Sequence, residues 1–136
     1  MLFSQQEIDA ARNLRELGVS WFPAPGHFVF DEAGVIEQPS PFQERVYFIL
    51  ELKHFLRRTG CVDRLKVALF WLPTWHDARE LLRAQGVADG EVADALRNAR
   101  AIENRSELLT LYRLIAIGLR RDPSFPNMKR REEFST

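Results

Sequence analysis

Residues Ser40–Gly60 read SPFQERVYFILELKHFLRRTG, and whether this stretch coils or extends decides the architecture. Several local signals predict a helix over 41–59. Ser40 is a good cap, Pro41 suits a first helical position, and Gln43 stands three residues after Ser40 as in a capping box. Gly60 after Arg57 and Arg58 supplies a left-handed stop with cations at the negative end of the helix. At about 100° per residue, Phe42, Val46, Phe48, Ile49, Leu50, Leu52, Phe55 and Leu56 fill one wide arc. Gln43, Glu44, Tyr47, Glu51, His54 and Arg58 gather opposite. A face that wide needs cover from more than one side, so the helix is expected at the centre of the core.

Working outward, Ser4 with Glu7 predicts a capped helix to about Leu17, stopped by Gly18. His27–Phe30 and Val35–Glu37 flank Asp31-Glu32-Ala33-Gly34, which predicts a small hairpin over 27–37. Cys61–Leu72 alternates like a strand but also carries a helical stripe, Val62, Leu65, Leu69 and Leu72. A short buried helix ended by Pro73 is the expectation. Thr74 with Asp77 caps the next helix and Gly86 ends it. Two more follow, one carrying Val92, Ala95, Leu96, Ala99 and Ile102. The last buries Leu108, Leu111, Tyr112, Ile115 and Leu119. The fold class is therefore mainly α (α+β): about six helices around a central helix 41–59, with a hairpin across them. Residues 1–122 are expected as one globular domain and 123–136 as a loosely ordered tail.

Composition narrows the function. With 19 basic and 19 acidic side chains the net charge is +0, so no global field draws the chain to nucleic acid or an anionic membrane. One cysteine, Cys61, forms neither an internal disulfide nor a thiolate zinc cluster. The N-terminal residues turn polar too soon for a secretory signal, and no apolar run reaches the roughly 20 residues of a spanning helix. A cytoplasmic location with no membrane is the expectation. The seven glycines are scattered at turns and helix ends, so no phosphate-binding loop, cofactor or metal is expected.

Three segments resemble functional motifs. Residues 74–100, with Gly86-Val87 joining two helices and Val92 five residues on, resemble a helix-turn-helix. That resemblance implies nucleic-acid binding through the second helix. Leu82 stands where that motif wants a small residue, and Asp89, Glu91 and Asp94 would face phosphates unfavourably. Read as a strand, Val46–Lys53 resembles the E-x-K element of the PD-(D/E)xK nuclease superfamily, with Asp31 as the upstream acid. That resemblance implies a divalent cation held by Asp31 and Glu51, with Lys53 positioning water. A helix would instead set Glu51 and Lys53 about 200° apart. Glu51 with His54 is also one E-x-x-H, half of a di-iron bundle motif, and no second copy exists.

His27, His54 and His76 could converge on a metal, though their spacing alone gives no warrant for it, and Cys61 has no evident base beside it. Trp75 and His76 read as the rim of a pocket. The surplus of aromatic residues reads as an exposed patch built from Trp21, Phe22, Phe28 and Phe30. With no complete catalytic constellation, the leading expectation is a non-catalytic cytoplasmic module that binds a protein partner or a second copy. A nucleic-acid-binding regulator (74–100) and a metal-dependent nuclease (Asp31, Glu51, Lys53) are the alternatives.

Overall fold

In the computed structural model, which describes residues 2–121, the pivotal stretch is extended where a helix was expected. Val46–Phe48 forms strand β2, and only Leu52–Thr59 is helical (α2). Strand β1, Phe28–Asp31, lies between β2 and β3, Leu69–Leu72, in an antiparallel sheet of order β2-β1-β3. Phe30 pairs with Val46 on one side and with Phe70 on the other. Main-chain groups buried on both sides of β1 must find partners, and β2 supplies one set. Ser40 caps no helix. Its Oγ donates to the Val46 carbonyl and accepts from the Phe42 and Gln43 amides. The Val46 amide closes a tight turn onto the Gln43 carbonyl at 2.9 Å, and Arg45 within it adopts φ +66°. Gln43 is held by Phe3, accepting from its amide and donating to its carbonyl, each at 2.8 Å.

The expected 27–37 hairpin is corrected in the same way. The second run never pairs, because the buried Asp31 carboxylate gathers the amides of Gly34, Val35 and Ile36 at 2.9–3.0 Å. That turn leads the chain away from β1, and β1 pairs with later segments. Cys61–Leu72 divides into helix α3, Val62–Ala68, and β3. All four β3 residues are buried, so the strand reads as a continuous apolar run rather than an alternation. Gly60 ends α2 as expected, at φ +96° with its amide on the Leu56 carbonyl.

The mainly α class with a small β part holds: seven helices lie among the described residues. The described residues gather into two compact units, 2–12 with 21–73 and 13–20 with 74–121. Helix α1, Gln5–Glu16, contributes to both and opens on the expected Ser4–Glu7 box. The first unit holds the sheet, α2 and α3, with Val29, Val46, Ile49, Leu65 and Phe70 fully buried. The second holds α4 (Trp75–Ala84), α5 (Asp89–Asn98), the single turn α6 (Ala101–Asn104) and α7 (Glu107–Arg121). Thr74 and Asp77 form the predicted capping box. The single helix expected through Ile102 is interrupted at Arg100, which is left-handed at φ +51°. Helix α7 packs on α4 and buries Leu111, Tyr112, Ile115 and Leu119. The tail expected over 123–136 lies outside the described residues.

Two predictions test these contacts. Asp31→Ala strips three amides of their acceptor and should cost about 2–3 kcal/mol, read as a lower urea midpoint at unchanged slope. A loss below about 0.5 kcal/mol, the range of an ordinary surface change, would show that the turn does not depend on the carboxylate. In α7, a Cβ at Gly118 would meet Gln85 Oε1 at 2.6 Å, while Gln85 Nε2 donates to the Ile115 carbonyl. Gly118→Ala alone should therefore forfeit the usual gain, whereas in a Gln85→Ala background it should stabilise by about 1 kcal/mol. Equal effects in both backgrounds would remove that contact as the reason for glycine.

A candidate docking groove beside strand β2

The first unit carries an apolar groove of about 380 Å³ between the 36–41 segment and the run from Tyr47 to Phe55. Ile36, Pro39 and Pro41 form one wall; Tyr47, Phe48, Leu50 and Phe55 form the other, with Gln38, Glu51 and His54 at the lining. Local chemistry fixes both walls. Proline lacks an amide, so Pro39 and Pro41 cannot donate to a strand and stay beside β2 rather than joining the sheet. The Tyr47 hydroxyl ties the segment back by donating to the Gln38 carbonyl. Partial burial, then the negative charge of Asp31, raises the Tyr47 pKa above its ordinary value, so it remains a neutral donor at physiological pH. Leu50 is 77% exposed at the rim. Glu51 occupies the N-cap position of α2 but makes no capping hydrogen bond, leaving its exposed carboxylate at the groove.

A second, larger cavity of about 580 Å³ in this unit is polar, lined by Gln5, Ile8, Arg12, Phe30, Glu32, Gln43, Glu44 and Arg45. Its cations are already engaged. Arg12 donates to Asp9 and Glu32 at 2.8 Å each and lies 5.3 Å from the Phe70 ring centre. Partial burial opposes its charge, but bonds to the two carboxylates outweigh this and raise its pKa. Arg45 stands 5.8 Å from the Phe30 ring centre and donates to the Glu32 carbonyl. These contacts brace the outer side of β1.

The four aromatic residues expected as a patch are dispersed. Trp21 is buried, stacked 6.2 Å from Trp71 with its Nε1 donating to His27 Nδ1. Phe30 is buried against Phe70. Phe28 is half-buried, its ring beside those of Phe3, Phe42 and Phe48. Phe22 is exposed beneath Lys66. Trp75 and His76, expected at a pocket rim, are exposed at the start of α4 and border neither cavity. The sequence reading missed Leu50 and the proline pair. The signal available was two prolines two residues apart before an apolar run, which fits a segment lying beside a strand as well as it fits a helix entry.

The extended reading of 46–48 does not bring the nuclease residues together. Asp31 lies past the Phe30–Val46 pair at one end of the ladder, and Glu51 lies past the Phe28–Phe48 pair at the other. Roughly 20 Å of extended chain separates their positions along β2. The Asp31 oxygens are also committed to the turn amides. Among the described residues no group of three or more His, Cys, Asp or Glu is placed to hold a metal. His27 is tied to Trp21, His54 borders the groove, and His76 belongs to the second unit.

Helices α4 and α5 do follow one another as a helix-turn-helix would, but the leading end of α5 is acidic and bound to α4. Asp89 accepts from Arg79 at 2.7 Å and from Arg83 at 3.3 Å. Leu82 is fully buried. Comparison with protein families, curated proteins and solved structures finds no match, so function must be read from these geometries.

Hydrogen bonds from Arg83, then Arg79, hold the Asp89 carboxyl below the ordinary aspartate range. A lowered folded pKa gives stability that is present above the unfolded value and disappears as pH falls through the folded one. Thermal unfolding of the wild type should therefore lose more stability between pH 5 and pH 2.5 than that of Asp89→Asn. Parallel pH curves would show that the pair makes no net contribution.

Proposed function

We propose that this chain is a non-catalytic cytoplasmic protein-interaction module whose docking face is the groove between 36–41 and 47–55. One observation carries the reading: Leu50 stands 77% exposed at the mouth of an apolar cavity that Phe48 and Phe55 line. A lone exposed leucine is ordinary, but one beside an open concave apolar surface marks a contact site. Filling the cavity would cover Leu50 as well. Burial of a leucine stabilises by about 1.5–3 kcal/mol, which corresponds to roughly ten- to a hundredfold in affinity. The free, exposed Cys61 agrees with a reducing compartment.

The test is site-specific photocrosslinking in cells. A crosslinker at Leu50 should trap a discrete partner, either another protein or a second copy, while one at the equally exposed Ile102 (76%) should not. Leu50→Asp should abolish the adduct formed from a crosslinker at Gln38 and change folding stability by less than about 0.5 kcal/mol. Identical crosslinking from Leu50 and Ile102, or none from either, would overturn the proposal.

A further inference from the structure

We infer that the partner enters this groove as an extended strand, adding to the open end of β2, with a bulky apolar side chain in the cavity and a lysine or arginine on Glu51. The inference rests on the docking reading above and specifies the partner's chemistry.

The ladder decides which main-chain groups are free. The Asp31 amide donates to the Arg45 carbonyl and the Ile49 amide donates to the His27 carbonyl. In an antiparallel pair the bonded positions alternate, so Arg45, Tyr47 and Ile49 turn their main chains toward β1. Val46 and Phe48 turn theirs outward. At Val46 the outward groups are already used, its amide by the Gln43 carbonyl and its carbonyl by Ser40. Phe48, the last residue of β2, carries the open end, and Leu50 follows at a bend just beyond it.

The cavity lies at the same place. Tyr47 and Phe48 are consecutive in β2 and send their side chains to opposite faces, yet both line the cavity. A space bordered by both runs along the strand's outer edge. A peptide bonded at Phe48 would therefore place one alternate side chain in the cavity. Pro39 and Pro41, having no amides, cannot satisfy the outward Phe48 carbonyl themselves. Charge selects the flanking residue. Among the described residues lining the cavity, Glu51 is the sole carboxylate, no lysine or arginine accompanies it, and it makes no capping bond. A second copy fits less well. Antiparallel pairing of two β2 edges centred on Phe48 would set Leu50 opposite Val46, whose outward groups are occupied, leaving a single bonded pair.

The experiment selects a display library of random ten-residue peptides on the immobilised full chain, followed by N-methyl scanning of the strongest binder. Enriched peptides should alternate apolar residues with period two and carry a lysine or arginine beside the central one. N-methylation should weaken binding at least tenfold on one alternate set of amides and less than twofold on the other. Glu51→Gln should lower affinity about threefold at low salt and flatten its salt dependence, whereas Leu50→Asp should abolish binding. Enrichment of apolar residues spaced by three and four, N-methyl effects without alternation, or no groove-dependent peptide would overturn strand addition. If Leu50 crosslinking still traps a partner in those cases, the docking groove stands and only the mode of entry falls. Loss of both removes both.

Discussion

The main-chain hydrogen bonding of β1 is the constraint on which the first unit depends. A four-residue strand at the middle of a sheet has donors and acceptors on both edges, and burial makes each unpaired group costly. Val29 and Phe30 are buried, so β1 must be flanked on both sides. Phe28–Asp31 recruits Leu69–Leu72 on one side and Val46–Phe48 on the other. The second recruitment removes residues from what local signals mark as a helix. The Asp31 carboxylate then secures the outcome by collecting three amides just past the strand end. Pairing and turn act together: the turn denies β1 a local partner, and the sheet supplies distant ones.

The parts that could be read from sequence were those whose cause is local. The Ser4–Glu7 and Thr74–Asp77 boxes each close within three residues, and both form. The Gly60 stop depends on one backbone angle that glycine favours. The run VYFILEL could not be read in this way, because a broad apolar arc and a buried strand share the same composition. Ser40-Pro41 is equally ambiguous, since serine before proline opens turns as readily as helices. Only the distant need of β1 decides between them. Cys61–Leu72 fails for the same reason: its final four residues are buried throughout, so neither period two nor period 3.6 remains to be seen. The docking groove inherits this blindness. Leu50, placed on the inner arc of a helix, instead stands 77% exposed at the groove.

The second unit shows how charge can be legible before its setting is. The acids at the start of α5 argued against a phosphate-facing helix, and the structure gives Asp89 two arginines of α4 as partners. Those arginines are spent within the helical pair, although the order of α4 and α5 follows the motif. Sequence spacing thus specifies how two helices succeed one another, while the partners of their charges specify what surface is left.

The edge of β2 is closed at Val46 and open at Phe48, with prolines standing alongside. Such an edge is too short to template its own kind. One bonded pair per copy cannot propagate a sheet into a fibril, so an exposed apolar strand end here does not template stacking. The same occlusion that restricts a guest to a few residues protects the chain from stacking on itself.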